Sequence, residues 1–310
     1  MMVLSIAPLG LLLVAGLCLS QNFGYEGNDD PSHWGEKFET CVGKRQSPIN
    51  IEDSNVKNVT LPPLKLYYAK KHCRATTIVN NGHTVMLQSN CHPVKVNGGP
   101  LGNDMYVFEQ LHFHWGKNDN EGSETLINNQ SSAMECHAVF RKEDYKSMNE
   151  ALNYQDGLAV VGFMYDVKQR ADPMIESIVT ALPGVQEPDK KKQLYKPFSV
   201  VDLLAQGISS QCYYTYNGSL TTPPCLEVVR WIVLKHPRYL SPAQLAAFRQ
   251  VHTHEGTEMT HNFRPTQPLW DREVFENIPN EQHSGQRNNK SPLPLMVLET
   301  LLGFLLSYSV

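Results

Sequence analysis

The chain has 310 residues, 41% of them hydrophobic, with 20 glycines and 20 prolines. That suffices for one large core, and no low-complexity linker divides it. A net charge of −4 with no basic block beyond Lys190-Lys191-Lys192 excludes nucleic-acid binding, and the lysine run itself reads as a solvated loop.

The predicted elements begin with an apolar run, Leu9 to Leu19, too short to span a membrane. Small residues Cys18 and Ser20 precede Gln21, so residues 1–20 read as a secretory signal peptide and residues 21–284 as one mature domain. Phe23-Gly24-Tyr25 and Ser32-His33-Trp34 predict an aromatic N-terminal arm laid on a core. Secretion makes Asn58 and Asn129 glycosylation sites by their sequons, whereas modification of the third sequon, at Asn217, is doubtful beside the threonine motif. It also permits disulfides among the six remaining cysteines: Cys41, Cys73, Cys91, Cys136, Cys212 and Cys225. Cys73 and Cys91 flank Gly82 symmetrically and would face each other across a simple hairpin.

From Thr76 to Met105, short β-rich runs broken by Asn-Gly, Gly-Gly and Pro predict antiparallel strands. In Gln110-Leu111-His112-Phe113-His114-Trp115-Gly116, strand alternation turns Gln110, His112 and His114 to one face. The same alternation in Met134-Glu135-Cys136-His137 aligns Glu135 with His137 and sends Cys136 into the core as a free thiol. Two imidazoles two residues apart can reach one metal ion, and a third makes a catalytic zinc set with an open fourth position. Gln110 and Glu135 each sit two residues before a histidine, on its own face, where an oxygen can accept the free ring N–H.

The apolar run Gly157 to Phe163 predicts a strand buried on both faces. Asp172-Pro173 predicts a helix start, with Asp172 as its cap, ending at Pro183-Gly184. Ser199 to Leu204 reads as a short helical turn, and Ser241-Pro242-Ala243-Gln244 as a capping box opening a helix through about His252. His33, His236, His252, His254 and His261 read as structural or exposed. The apolar tail, Leu293 to Val310, follows a polar spacer and small residues Ser284-Gly285. That order is the signal for a glycosylphosphatidylinositol (GPI) anchor at Ser284, with residues 285–310 removed. The alternative is a C-terminal amphipathic or membrane-spanning segment.

Taken together, the zinc-histidine run, Gly122-Ser123-Glu124, Glu135-Cys136-His137 and Gly218-Ser219-Leu220-Thr221-Thr222-Pro223-Pro224 resemble the α-class carbonic anhydrases. Gln46-Ser47-Pro48-Ile49-Asn50-Ile51 and Asn80-Asn81-Gly82-His83 extend the resemblance, which runs from about Phe23 to Phe275. Within the class it is most similar to the membrane-anchored extracellular isozymes, types IV and XV. The resemblance implies a mainly β, α+β domain with a twisted, mostly antiparallel sheet of about ten strands and peripheral helices. It implies Zn2+ on His112, His114 and His137, activating a water that attacks carbon dioxide to give bicarbonate. Gln110, Glu135 and the Asn262 carbonyl would orient the ligands, Thr221 and Glu124 the water, and His83 would export the proton, with Tyr25 in the water network. Val139, Val160, Leu220 and Trp231 would form the apolar substrate wall, with Thr221 and Thr222 also at the substrate. A Cys41–Cys225 disulfide and inhibition by sulfonamides are implied as well.

Two residues depart from the family pattern. Thr125 replaces a histidine, so a hydrogen bond supporting that loop is expected to be lost. Met86 replaces a residue that is polar in the fast cytosolic isozymes, and should alter the water chain. The competing reading is a catalytically silent relative serving as a binding module at the cell surface. Such relatives lose zinc histidines, and this chain keeps all three.

Overall fold

The computed structural model describes residues 23–68, 76–89, 93–194 and 198–279. The expected signal peptide, Cys73, Cys91, Ser284 and the apolar tail lie outside the described residues.

The chain builds β1 (Asn50–Ile51), β2 (Lys57–Val59), β3 (Lys65–Tyr67), β4 (Thr76–Asn80), β5 (Val85–Ser89) and β6 (Lys95–Asn97). The longest strands follow: β7 (Tyr106–Trp115), then after the short β8 (Leu126–Ile127) come β9 (Met134–Lys142) and β10 (Leu158–Val167). The remainder are β11 (Lys191–Gln193), β12 (Tyr213–Gly218), β13 (Val229–Leu234), β14 (Arg238–Leu240) and β15 (Phe275–Asn277). Among the described residues five α-helices lie outside the sheet: α1 (Trp34–Lys37), α2 (Met148–Ala151), α3 (Glu176–Ala181), α4 (Val200–Ile208) and α5 (Pro242–Arg249).

One sheet of 13 strands runs β11-β4-β5-β7-β9-β10-β13-β12-β15-β2, with β3, β6 and β14 attached beside that path. The path itself has the ten strands expected; the three short additions account for the larger number. Most pairings are antiparallel, while β10 runs parallel to β13 and β14, and β15 parallel to β2. β10 is apolar from Leu158 to Met164 because it is covered on both faces and flanked by β9 and β13; Leu158 to Tyr165 are all buried.

The sheet separates two cores. Leu111, Phe113, Trp115, Cys136, Phe140 and Phe163 pack with helix residues Ile178, Leu203, Leu204 and Phe248. On the other side Val139, Val160, Tyr216, Val229 and Trp231 form a second cluster. Burying a side chain of this size contributes roughly 1.5–3 kcal/mol.

Several elements differ from expectation in ways that side-chain bonding explains. The first helix after Asp172 begins at Glu176, not at Pro173. The Asp172 carboxylate accepts from the Met174 N–H at 2.9 Å and from Arg238 Nη2 at 2.9 Å, so it closes a turn and an ion pair ahead of the helix. Beginning at Val200, α4 runs to Ile208, with Ser199 accepting from the Asp202 N–H. The capping box at Ser241 forms in both directions, and α5 stops at Arg249. Lys191 and Lys192, read as loop, lie on β11, which pairs with β4 at the end of the strand path.

Cys41 and Cys225 form the implied disulfide, tying the N-terminal region to the loop after Thr222 across 184 residues of sequence. Beside it the Arg264 guanidinium is buried. It donates to Gln46 Oε1 and the Ser47 carbonyl at 2.9 Å and to the Cys41 carbonyl at 3.0 Å. Cys136 is a buried free thiol, as its strand position predicts, and Cys212 is half-buried and free.

Candidate metal centre

Strand alternation on β7 sends Leu111, Phe113 and Trp115 into the core, fully buried. Gln110, His112 and His114 therefore face the other way. The neighbouring β9 runs antiparallel with His112 opposite His137 and His114 opposite Glu135. A register shift between Phe108 and Gln110 marks a bulge at Glu109, just before the histidine run. One nitrogen from each of His112, His114 and His137 lies within 4.8 Å of the others.

The outer nitrogens decide what the inner ones can do. His112 Nδ1 donates to Gln110 Oε1 at 2.9 Å, His114 Nδ1 to the Asn262 carbonyl at 2.8 Å, and His137 Nε2 to Glu135 Oε1 at 2.8 Å. These oxygens can only accept, so each ring carries its hydrogen outward and turns a bare lone pair inward. Burial, then the neighbouring imidazoles, press His112 and His114 below their ordinary range, His114 to about 3. Protonation therefore does not relieve the crowding of lone pairs, and His114 Nε2 is buried with no hydrogen-bond partner. A cation does relieve it. Three neutral imidazoles are a donor set that suits zinc.

The comparison with known proteins agrees. Residues 29–278 match the family described as eukaryotic-type carbonic anhydrase. The chain belongs to that family. Carbonic anhydrase 7 of Mus musculus is 40% identical over 260 residues, 81% of this chain and 96% of the relative. Carbonic anhydrase 7 of Homo sapiens matches at the same identity and coverage. As a carbonic anhydrase, the chain is a zinc enzyme acting on carbon dioxide and bicarbonate.

Around the carbonic anhydrase triad, the remaining predicted residues fall into three groups. Glu124 is buried, with Oε1 accepting from the Arg264 backbone N–H at 2.9 Å and Oε2 lying 3.4 Å from His114 Nε2. Burial raises its carboxyl to about 7, against the pull of His137. The Thr221 side chain is near enough to favour the ionised form, although Oε2 completes no hydrogen bond. Val139, Val160 and Trp231 are buried in one cluster with Leu220 packed against it, and the Trp231 ring stands edge-on to His137 at 4.8 Å. Thr222 is half-buried in the turn whose carbonyl accepts from the Cys225 N–H at 2.9 Å.

The third group lies toward the N-terminal arm. Tyr25 has a buried hydroxyl with no partner, its pKa raised well above the usual value by burial and then by the Glu124 charge. His83 is half-buried under Phe23. Met86 on β5 lies opposite His112 in the sheet register. Asn58 and Asn129 are both exposed, Asn58 on β2 and Asn129 beyond β8.

Thr125 corrects the expectation of a lost bond. Its N–H donates to Glu135 Oε2 at 2.7 Å and its hydroxyl to Glu135 Oε1 at 3.0 Å, so the replacement still grips the carboxylate that orients His137. Two further residues carry no sequence signal for the part they play. Arg264 is a lone arginine in the sequence, yet it fixes Glu124 and the disulfide region together. Asn262 was expected to supply one carbonyl. Its side chain also accepts from the Trp115 N–H at 2.7 Å and donates to the His83 and Phe113 carbonyls, each at 3.0 Å.

Proposed function

We propose that the protein hydrates carbon dioxide reversibly to bicarbonate and a proton, with zinc held by His112, His114 and His137. The three inward lone pairs, each fixed by an outward acceptor, carry this reading. When bound, zinc supplies a water acidified to a pKa of about 7, hence a nucleophile at neutral pH.

The side chains aim and isolate that water. A Thr221 hydroxyl donating to ionised Glu124 has only lone pairs left for the water, which fixes the water's hydrogen and turns its reactive pair toward the substrate. Glu124 is held for this by the Arg264 N–H at Oε1, which leaves Oε2 for the threonine. Gln110, Glu135 and the Asn262 carbonyl hold the three tautomers. Val139, Val160, Leu220 and Trp231 offer a small uncharged substrate an apolar wall, with Thr222 beside it, and Tyr25 borders the water network. His83 exports the proton. Sulfonamides are the expected inhibitors.

The test is stopped-flow carbon dioxide hydration with zinc quantified on the same sample. His112→Ala should abolish both stoichiometric zinc and activity. Stoichiometric zinc retained by the variant would overturn the ligand assignment.

We further propose an extracellular, GPI-anchored enzyme resembling the type IV and XV isozymes, with cleavage after residue 20 and attachment at Ser284. Supporting this are the apolar leader, the spacer and tail, the sequons at Asn58 and Asn129, and a disulfide of the kind that persists in oxidising compartments. Among the described residues no helix is long and apolar enough to cross a membrane. Phosphatidylinositol-specific phospholipase C should release the protein from expressing cells; protein retained on the treated cells would sink the anchor.

A further inference from the structure

His83 is held rather than free to swing. The Phe23 ring stacks on it with centroids 4.0 Å apart and planes 13° from parallel. His254 stands edge-to-face against it, centroids 5.6 Å apart and planes at 70°. Phe23 and His254 thus flank the half-buried imidazole, and the exposed His254 ring offers a proton acceptor beside it.

We propose that His254 is that acceptor: a second relay station that takes the proton from His83 and passes it to buffer. This rests on the reading of His83 as the proton exporter. His254 is exposed, and its Nε2 lies 3.1 Å from the Asn81 carbonyl. A carbonyl can only accept, so Nε2 carries the hydrogen and Nδ1 keeps a lone pair. In the transfer, the N–H bond of the His83 imidazolium breaks as a new one forms at His254 Nδ1. The His254 imidazolium then releases that proton to buffer, and both rings return to neutral. At a 5.6 Å centroid separation the hop runs through one bridging water.

The surroundings suit a transient charge. Burial and then His254 lower His83 to about 4, while Glu255 works the other way. His83 thus favours handing the proton on over keeping it. The Glu255 carboxyl is held below its usual range by the Thr253 hydroxyl, and beyond that by the two histidines. A cavity of about 230 Å3 opens beside His83, lined by Tyr25, Glu26, Asp29, Glu255, Glu258 and His261, which puts four carboxyl groups along the exit. Close packing of the pair depends on Gly82, at φ +79°, where a Cβ would come within 2.1 Å of His254 Cδ2.

His254→Gln keeps an amide donor for the Asn81 carbonyl and removes the titrating ring. In dilute non-imidazole buffer its kcat should fall by roughly ten- to a hundredfold, at or below what a positioned proton-transfer group contributes. kcat/KM, which does not include proton export, should hold, and added imidazole should restore kcat. Adding His83→Ala should slow the His254→Gln enzyme little further than His83→Ala alone, since the two act in series. If His83→Ala lowers kcat but His254→Gln does not, the relay is overturned and the exporter stands. If His83→Ala itself leaves kcat unchanged, the exporter reading fails and the relay with it. A parallel loss of kcat/KM that imidazole does not repair would make His254 a loop support and overturn the relay.

Discussion

Glu135 accepts three hydrogen bonds, from His137 Nε2, the Thr125 N–H and the Thr125 hydroxyl. Burial works against its charge, yet His137 and the donated bonds hold its carboxyl below the usual carboxylate range. Thr125→Ala removes the hydroxyl from a buried charged acceptor and should cost about 1.5–3 kcal/mol in denaturant unfolding, while Thr125→Ser should cost much less. Because Glu135 orients His137, zinc should also bind more weakly in Thr125→Ala, on the order of tenfold by chelator competition. Wild-type affinity in the alanine variant would mean that the N–H alone suffices. The metal ligands and two of their acceptors were legible in the sequence because they repeat every second residue along a strand. Thr125 reaches Glu135 from a loop, Arg264 reaches Glu124 across 140 residues, and His254 meets His83 from a distant part of the chain; such meetings leave no period to read.

Two strands, β7 and β9, supply every ligand of the triad. They are adjacent in the sheet, so zinc clasps neighbours that backbone hydrogen bonds already join. Binding only the folded chain, zinc should stabilise it by about 4 kcal/mol at a thousandfold excess over Kd. Chelation should therefore lower Tm in calorimetry, and His112→Ala should melt at the same temperature with or without chelator. A chelator-insensitive wild-type Tm would argue against metal on these strands. The long strands were readable for the same reason as the ligands: β7 by its alternation, β10 by its unbroken apolar run. The short β3, β6 and β14 were not, because three residues carry too little pattern. α3 was misplaced because Asp172 has the residue type of a helix cap but spends its carboxylate on Arg238.

Across the whole molecule, the sheet keeps its two tasks on opposite faces. Helices cover one large core, while the other face carries the histidines and the second apolar cluster, and the N-terminal arm holds His83. The disulfide secures the N-terminal region against the Thr221–Cys225 turn, and Arg264 fastens that same region at the Ser47 and Cys41 carbonyls. A sheet this wide ends in strands with an unpaired side, which invites strand addition from another copy. Among the described residues β11 and β2 end the main strand path. β11 carries Lys191 outward, and Lys190 precedes it. Lys190→Val with Lys191→Val should leave Tm nearly unchanged yet raise light scattering as concentration rises; scattering that stays flat would deny the lysines this role. On β2 Lys57 and Asn58 are both exposed, and Asn58 is the sequon asparagine, so a glycan there would stand in the way of an incoming strand. The lysine run and the sugar site, unrelated in sequence, would then share one purpose: keeping an open sheet from polymerising.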